Sequence, residues 1–530
     1  MSLMRSAATV SALTLLSRIS GLARDIIIAR AFGASAMTDA FWVAFRIPNL
    51  LRRLFAEGAF SQAFIPILGE VKETHADTAA VRQTIDRVAS ALFIALSLIT
   101  VLGIVGAPLV VLAIASGMSA EARADEFTAA VWMTRVMFPY IVCMSLVAFA
   151  SGVLNTWRKF AIPAFTPVLL NLSMIAASLL LSNHLAQPIY ALAIGVMIGG
   201  VAQLSIQWLA LSRLGLRPRF GGNVAQTYKD PIVRRVMRQM VPATLGVSVA
   251  QISILINTNI ATWLTPGSVT WLSFADRLME FPTDLIGVAL GTVLLPSLSK
   301  AHASQSSDEY SRLLDWGLRL VLLLGLPAAL AMILLADAMV ATLFQYGAFS
   351  ANDVYQTQTA VMAYAVGLIG LLMIKILAPG FYAKQDIKTP VKIAIVVLIL
   401  TQLLNLVLVP VFAHAGLALA IALGATINAG ALYVGLRRRG VYQAQSGWLV
   451  FLGRQAVALI VMGAFISLVG SGVDWTEQSM GGWLRVLWLG ATLGGGLATY
   501  VLTLWLMGVR PSDFQRKRSI QNKNTDEKST

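Results

Sequence analysis

The apolar positions of the chain fall in runs of about 20 or more residues, with short polar breaks between them. A helix needs about 20 apolar residues to cross roughly 30 Å of hydrocarbon, whereas barrel strands would be roughly 10 residues of alternating polarity. The pattern therefore predicts an all-α integral membrane protein with about 14 transmembrane helices. The predicted helices lie near residues 7–32, 37–68, 88–115, 128–156, 163–183, 189–212, 233–263, 269–299, 311–335, 353–381, 388–412, 416–436, 448–470 and 483–507.

The longest polar break in the first half of the chain, residues 213–232, predicts a cytoplasmic linker between two lobes. We expect an N-terminal lobe of six helices in residues 1–212 and a C-terminal lobe of six helices in residues 233–440. Two final helices follow in residues 441–509. Residues 510–530 form a basic cytoplasmic tail whose polar composition is typical of disorder.

A weak internal repeat supports the two lobes. Arg46 precedes Pro66 in the second predicted helix, and Arg277 precedes Pro296 in the eighth at nearly the same separation. The same order and direction are typical of parallel repeats related by an axis along the membrane normal. We therefore expect binding sites in a central cavity between the lobes.

Composition and charge agree with a membrane protein. Hydrophobic residues make up 57% of the chain and charged residues 12%, with a mean hydropathy of +0.75. In soluble domains roughly 45–50% of the residues are apolar and roughly 25% are charged. The net charge of +15 comes from basic residues in alternate breaks, which is the positive-inside pattern and predicts that both termini are cytoplasmic. Topology therefore explains the basic clusters better than nucleic-acid binding or contact with anionic lipid.

Several kinds of site are not expected. Cys143 is the one cysteine, so the chain can form neither an internal disulfide nor a paired-cysteine metal site. The start resembles a signal peptide, but its apolar run continues into Arg18 and Arg24 without a cleavage site, so we interpret it as a retained first helix. The sequence contains no phosphate-binding loop, HExxH motif or nucleophile elbow. We therefore expect neither an enzyme nor a bound cofactor or metal.

Charged residues are dense in residues 18–57, within sequence that is otherwise apolar enough for a membrane. Charge at membrane depth is costly, so such residues usually face a bundle interior or a watery cavity and carry function. The stretch therefore predicts a cationic central cavity. Its charged residues are Arg18, Arg24, Asp25, Arg30, Asp39, Arg46, Arg52, Arg53 and Glu57.

Helical geometry arranges these charges in stripes. At about 100° per residue, Arg18 and Asp25 share one face of the first helix, whereas Arg24 projects elsewhere. A guanidinium fork pairs with two phosphate oxygens, so several shielded arginines suit a pyrophosphate head group. Mutual neutralisation as structural ion pairs is the alternative. The other stripes are Asp39, Arg46, Asn49, Arg53 and Glu57 in the second helix, which Pro48 kinks, and Arg277, Glu280 and Asp284, flanked by Asp276, in the eighth.

Two weaker signals leave alternatives open. Lys375 is a lone charge in the tenth predicted helix, and it fits either a cavity wall or a structural ion pair. Six polar side chains in the seventh and eleventh helices fit interhelical hydrogen bonds, which we favour, or a small-cation site. They are Gln251, Asn257, Asn259, Thr401, Gln402 and Asn405.

Seven stretches carry a resemblance to a known family. They read RISGLARDIIIARAFG, TDAFWVAFRIPNLLRRLFAEGAFSQAFIPIL, LNTWRKFAIPAFTP, ADRLMEFP, GTVLLPSLSK, FQYGAF and LAPGFYAKQDIKTPVKIA. In this order they resemble the MurJ (MviN) family of lipid II flippases, in the multidrug/oligosaccharidyl-lipid/polysaccharide exporter superfamily. The resemblance implies two six-helix lobes in a V, two extra helices, and a role in peptidoglycan synthesis and cell shape in the bacterial inner membrane.

The resemblance also implies roles for residues in the matched motifs. Arg18, Arg24, Arg52 and Arg277 match cavity arginines expected to bind the pyrophosphate and the sugar-peptide head of lipid II, with Asp25 as their acidic partner. The remaining cavity or gating positions are Asp39, Arg46, Arg53, Glu57, Asp276, Glu280 and Lys375. Among these, Asp39 and Glu57 match positions linked to gating.

The helical stripe and the resemblance disagree at one position. The stripe favours Arg53 for the cavity, whereas the family points to Arg52. The Pro48 kink rotates the later turns, so we follow the family and leave Arg53 open. The last two helices resemble a family groove for the polyprenyl tail.

The resemblance implies alternating access. Lipid II, an undecaprenyl-pyrophosphate-linked disaccharide-pentapeptide, would enter from the cytoplasmic leaflet and leave in the periplasmic leaflet. The expected partners are lipid II and membrane lipids, with a functional monomer, no nucleic acid, and coupling to membrane potential or a monovalent cation. The alternatives are a multidrug or cation antiporter, whose cavity should be acidic, a membrane-embedded lipid-pyrophosphate enzyme, and a scaffold without transport.

Overall fold

The computed structural model describes residues 3–52, 60–74, 78–221, 224–476 and 481–510 of the 530. In these ranges the regular structure is helical and contains no strand. Many of the helices are apolar along their length. The prediction of an all-α membrane protein is confirmed.

The helices follow the predicted apolar runs closely. Up to residue 262 the described helices are α1 (Leu3–Phe32), α2 (Ala36–Arg52), α3 (Phe60–Thr74), α4 (Thr78–Val105), α5 (Ala107–Ile114), α6 (Ala124–Met137), α7 (Tyr140–Thr156), α8 (Ala161–Leu180), α9 (Tyr190–Arg213), α10 (Val224–Lys229) and α11 (Pro231–Thr262). Beyond it they are α12 (Ser268–Ala303), α13 (Ser307–Leu334), α14 (Ala336–Phe344), α15 (Ala351–Val366), α16 (Leu368–Tyr382), α17 (Lys388–Arg438), α18 (Trp448–Gly470) and α19 (Gly482–Leu506).

Three runs that were each predicted as one helix are interrupted. The first breaks at Gly106, and the second before α7, where Pro139 lacks the N–H that a continuous helix needs. The third bends by 41° at Gly367, between α15 and α16. A Cβ atom at Gly367 would lie 2.3 Å from Cα of Ala422, so the absence of a side chain lets α16 approach α17.

Helix α17 is too long to be one span. Its 51 residues would extend about 77 Å if straight, more than twice the roughly 30 Å hydrocarbon core. Ala413 interrupts the helix with φ 48° and ψ −129°. The chain turns sharply here and brings Gly416 against the preceding helix. A Cβ atom at Gly416 would lie 2.4 Å from the carbonyl oxygen of Leu408, so the turn needs a residue without a side chain. The two halves correspond to the predicted helices near 388–412 and 416–436.

Eight helical stretches of the described chain are long and apolar enough to cross a membrane. The bent pair of α15 and α16 makes a ninth. Helices α1 and α12, which carry charges predicted to line the cavity, are not among these stretches. The total of about 14 spans stays a prediction.

The chain divides into two compact units. Unit 1 comprises Met1–Arg277, Leu343–Ala360 and Ala394–Ala420, and unit 2 comprises Leu278–Thr342, Val361–Ile393 and Ile421–Thr530. This grouping differs from the predicted lobes, whose bounds stay a prediction. Within unit 1, α1 packs against α8 and α8 packs against α9. This packing brings the middle of α8 to the charged part of α1.

In unit 2, the carboxylate of Asp315 on α13 holds the segment that joins α17 to α18. Its Oδ1 atom accepts hydrogen bonds from the Tyr442 hydroxyl at 2.8 Å, the Gln445 N–H at 3.1 Å and the Trp448 indole at 2.7 Å. Arg319 donates to Oδ2 at 2.8 Å. Burial and the contact with Asp315 raise the pKa of Tyr442 above its usual value. Asp315 thereby fastens the start of α18 to α13.

Replacing Asp315 by alanine is expected to destabilise unit 2 by about 3 kcal/mol, because it leaves Arg319, the buried Tyr442 hydroxyl and two partly buried donors without their acceptor. Denaturant unfolding in detergent, followed by intrinsic tryptophan fluorescence, measures this loss. Asp308→Ala removes an exposed carboxylate from the first turn of the same helix and should cost less than about 1 kcal/mol. Equal midpoints for the two variants would contradict the role of Asp315.

A second carboxylate of unit 2 orders the turn before α17. Asp386 accepts hydrogen bonds from the Thr389 hydroxyl at 2.6 Å and the Thr389 N–H at 3.0 Å, and from Arg439 at 2.5 Å. The Thr389 hydroxyl and then Arg439 lower the pKa of Asp386 to about 2. Asp386, a charged residue of the KQDIKTP stretch, thus stabilises the turn between α16 and α17.

Candidate functional site

The described part of unit 1 contains a buried cluster in which one carboxylate serves two arginines. Asp25 Oδ1 accepts hydrogen bonds from Nε and Nη2 of Arg24 at 2.9 and 2.7 Å. Asp25 Oδ2 accepts one from Nε of Arg277 at 2.5 Å. Asp25 is 2% exposed and Arg24 is 7% exposed, whereas the Arg277 side chain is 35% exposed. The cluster therefore has a buried end and an accessible end.

Asn171 fixes the second edge of the Arg24 guanidinium. Its Oδ1 atom accepts from Arg24 Nη1 at 3.1 Å. Its Nδ2 atom donates to the Ser20 hydroxyl at 2.9 Å and to the Ser17 carbonyl at 3.2 Å. These bonds join α8 to α1, which is why the packing of the two helices matters for the site. The sequence carried no signal for Asn171, because one amide in an apolar helix is common.

Positively charged groups outnumber the carboxylate in this set of three side chains. Two guanidinium groups share the single carboxylate of Asp25. Taking charge out of water is costly unless it is paired, so a buried cationic cluster favours an anionic ligand. A guanidinium fork suits phosphate oxygens in particular. The cluster can therefore bind an anion at Arg277, whose side chain is partly exposed.

Periodicity placed Arg24 and Asp25 on different faces, but the structure brings their side chains together. The long arginine side chain reaches its neighbour in sequence. Arg18 is exposed, one to two turns earlier on α1, and Arg46 on α2 is half-buried. Asp276 and Glu280 on α12 are also half-buried.

Three predicted cavity residues are not characterised at the side-chain level. Arg52 is the last residue of α2, and the structure does not describe its side chain. Arg53 and Glu57 lie outside the described residues. The choice between Arg52 and Arg53 stays a prediction.

Asp39 of α2 caps the N-terminus of α12. Its carboxylate accepts hydrogen bonds from the Gly267 N–H at 2.7 Å, the Thr270 N–H at 2.8 Å and the Thr270 hydroxyl at 2.6 Å. Asp39 is 1% exposed. The first N–H groups of a helix lack intrahelical partners and carry partial positive charge, so a carboxylate there is stabilising. The contact ties α2 to the start of α12.

Aromatic side chains pack beside this cap. Trp42 of α2 meets Phe274 of α12 with ring centroids 6.2 Å apart, and Phe274 meets Phe344 at 4.7 Å. The Trp271 indole donates to Asp353 at 3.0 Å. The contact of Asp39 with α12 is thus buried and lies beside aromatic side chains.

The end of α11 makes a similar close contact with the segment 115–126. The Gly117 N–H donates to the Thr262 hydroxyl at 3.2 Å, and Arg123 donates to the Thr262 carbonyl. A Cβ atom at Gly117 would lie 2.4 Å from that carbonyl oxygen. A side chain at position 117 would therefore separate the two segments.

Lys375 belongs to unit 2 and forms an ion pair there. Its Nζ atom donates to the Thr283 carbonyl at 3.0 Å and to Asp284 at 3.3 Å. Both side chains of the pair are 35% exposed. A Cβ atom at Gly287 would lie 2.2 Å from the lysine side chain, so Gly287 makes room for it. Of the two uses weighed for Lys375, the ion pair is present.

The polar residues of α11 and α17 make interhelical hydrogen bonds. Asn405 donates to Asn257 at 2.9 Å and to Gln402 at 3.0 Å, and all three lie in unit 1. The favoured interhelical hydrogen bond is therefore present between Asn257 and Asn405, whereas the bond from Asn405 to Gln402 lies within α17. Coupling to a monovalent cation stays a prediction.

Comparison with known proteins gives a consistent result. The family model described as lipid II flippase MurJ matches residues 28–480. A protein from Burkholderia cenocepacia named lipid II flippase MurJ is 52% identical over 517 residues, which cover 98% of this chain and 100% of that protein. A Vibrio cholerae protein named probable lipid II flippase MurJ is 40% identical over 527 residues, covering 97% of this chain and 98% of that protein.

Solved structures share the fold. A structure described as lipid II flippase MurJ in an inward closed conformation matches with a TM-score of 0.77 at 22% identity, over 94% of this chain and 98% of that one. An inward-facing multidrug-resistance MATE transporter matches with a TM-score of 0.64 at 15% identity, over 82% of this chain and 98% of that one.

Proposed function

The chain belongs to the MurJ family of lipid II flippases, and we propose that its cluster of Arg24, Asp25 and Arg277 receives the pyrophosphate of lipid II. The chain is a lipid II flippase and a multi-pass protein of the bacterial inner membrane. Its substrate is therefore an anionic, lipid-linked peptidoglycan precursor.

The observation that supports this site is the buried Asp25 between two arginines. Asp25 accepts hydrogen bonds from two nitrogens of Arg24 and one nitrogen of Arg277. The guanidinium groups are therefore oriented before substrate arrives. A preorganised site loses less entropy when a ligand binds. The partly exposed Arg277 then meets a phosphate, while the buried Arg24 adds positive charge behind it. Arg18, which is exposed on α1, extends the cationic surface toward the sugar-peptide head.

Alternating access is the transport mechanism of the proposal. The hydrogen bonds of Asp39 to the start of α12 close the periplasmic side while the head group enters from the cytoplasm. Breaking these bonds opens that side, and the head group leaves while the polyprenyl tail stays in lipid. Bound pyrophosphate neutralises positive charge of the two arginines, which favours the transition only when substrate is present.

The remaining features of the proposal concern topology and energy. Both termini lie in the cytoplasm, as the positive-inside pattern indicates. The chain works as a monomer and uses neither a cofactor nor a catalytic step. Membrane potential or a monovalent cation drives the cycle.

Binding of lipid II to purified protein tests the pyrophosphate site. Arg277→Gln removes a charge-assisted contact and is expected to weaken lipid II binding about tenfold. Lys300→Gln removes an exposed positive charge from the other end of the same helix and should leave binding unchanged. Undecaprenol, which has no pyrophosphate, should not distinguish the two variants. The proposal fails if Arg277→Gln binds lipid II as the wild type does, or if lipid II is consumed during incubation.

A further inference from the structure

A cavity of about 480 Å³ lies away from the arginine cluster, between the ends of α7, α8 and α9 in unit 1. Its wall is largely apolar and includes Leu154, Ile162, Ile206 and Leu209. Ile206 and Leu209 are exposed on α9. In a membrane protein such an open apolar wall faces the acyl chains of lipid. We call this space the α7–α9 cavity.

Two cations lie at the α7–α9 cavity, and its lining contains no carboxylate. Lys159 precedes α8, and Arg213 is the last residue of α9. Both side chains are exposed. Within the part of the chain that the structure describes, neither makes an ion pair or a side-chain hydrogen bond. Their charge is therefore available to a ligand from outside the chain.

The start of α8 adds to the positive potential. The turn before it places Arg158 in the left-handed region, with φ 57°, and brings the Lys159 N–H to the Leu154 carbonyl at 2.8 Å. No side chain caps the N-terminus of α8. The free N–H groups of a 20-residue helix carry partial positive charge, which reinforces the two cations.

The position of the α7–α9 cavity along the helices also suits a lipid head group. The last residues of α7 and α9 and the first of α8 share one end of the bundle, and the positive-inside pattern assigns this end to the cytoplasm. Basic pockets between transmembrane helices on this side suit anionic lipid head groups. An apolar wall directly beneath two cations matches a molecule with a phosphate at one end and an acyl chain at the other.

We propose that the α7–α9 cavity binds an anionic glycerophospholipid. Its phosphate lies between Lys159 and Arg213, and one acyl chain lies along Ile162, Ile206 and Leu209. The chemistry favours a lipid with net negative charge over a zwitterionic one, because the cavity lining supplies no carboxylate for a choline or ethanolamine group. This site goes beyond the flipping of lipid II and involves none of its residues.

Native mass spectrometry of the full chain, titrated with phosphatidylglycerol or phosphatidylcholine, tests the proposal. The wild type is expected to bind one phosphatidylglycerol at least about tenfold more tightly than phosphatidylcholine. The double variant Lys159→Gln/Arg213→Gln should weaken phosphatidylglycerol binding about tenfold to thirtyfold, since each basic side chain near the surface contributes roughly fivefold. Arg437→Gln/Arg438→Gln removes the same charge from exposed residues at the end of α17 and should have no such effect.

Two further experiments distinguish binding of the whole lipid from binding of its phosphate alone. Leu209→Trp fills the apolar wall and should also weaken phosphatidylglycerol binding, whereas excess inorganic phosphate should not displace the lipid. The proposal is wrong if the two double variants lose equal affinity, if phosphatidylcholine binds as tightly as phosphatidylglycerol, or if free phosphate competes. It is also wrong if Leu209→Trp binds as the wild type does. No lipid II is present, so the outcome is independent of transport.

Discussion

Replacing Arg24 by alanine is expected to abolish lipid II flipping while the protein remains folded in the membrane. The guanidinium makes two hydrogen bonds to Asp25 and one to Asn171 in a site that is almost closed to solvent. Without it, Arg24 no longer shares the Asp25 carboxylate with Arg277, and the cluster loses one positive charge. Charge-assisted contacts are worth about 1.5–3 kcal/mol each, so losing both the charge of Arg24 and the fixed position of Arg277 lowers transport at least about a hundredfold.

Matched variants separate charge, geometry and fold. Arg24→Lys keeps the charge but not the planar fork, and should retain only a small part of the activity. Arg30→Ala removes an exposed arginine from the same helix and should flip lipid II normally. Membrane extraction and thermal stability in detergent verify that each variant is inserted. Normal flipping by an inserted Arg24→Ala protein would exclude the arginine cluster as the substrate site.

Replacing Asp39 by alanine is expected to open the periplasmic side of the protein. The change leaves the Gly267 and Thr270 N–H groups and the Thr270 hydroxyl without their acceptor at the start of α12. Unsatisfied buried donors cost about 1–3 kcal/mol each, and three lose their acceptor, so the equilibrium between closed and open forms shifts at least about tenfold. Transport should fall because the cycle can no longer close on this side.

Labelling of a cysteine at position 268 measures the opening. Ser268 is 1% exposed at the first residue of α12, so Ser268→Cys in a Cys143→Ala background should react slowly with a membrane-impermeant maleimide added from the periplasm. Asp39→Ala should speed the reaction at least about tenfold. Asp125→Ala, an exposed acidic residue in the first turn of α6, should not change it. Unchanged labelling together with lost transport would mean that Asp39 acts in another step.

The helices and their charged positions could be predicted from the sequence because the membrane imposes a simple rule. Apolar runs long enough to cross the membrane must be helical, and a charged residue inside them must have an interaction partner or a functional role. Arg24, Asp25 and Arg277 were identified on that ground, and they do come together. Pro139 lay within a predicted continuous helix and instead ends one, although proline is a known signal for such a break.

The partners of the charged residues could not be predicted. Asn171 reaches Arg24 across 147 positions of sequence, and Asp39 reaches Thr270 across 231. A single amide, a glycine N–H or a threonine hydroxyl has no pattern of its own. Its role depends on which helices pack together, and helix packing in a membrane follows from small shape differences that hydropathy does not contain.

Helical periodicity also shows only in which direction a side chain leaves the helix, not where the end of a long side chain lies. It separated Arg24 from Asp25 by about 100°, yet the flexible arginine side chain bridges that angle. The same freedom makes the choice between Arg52 and Arg53 a question for mutagenesis. Each substitution to alanine, tested for flipping, identifies the arginine that the substrate contacts.

Leaflet accessibility of lipid II in cells depleted of this protein tests flipping through the arginine cluster most directly. An externally added enzyme that cleaves the lipid pyrophosphate reports how much lipid II has reached the periplasmic leaflet. Depletion should make lipid II accumulate in a protected form, and the wild type but not Arg24→Ala should restore cleavage. If lipid II stays cleavable in depleted cells that contain no second flippase, or if Arg24→Ala restores cleavage fully, the account is contradicted.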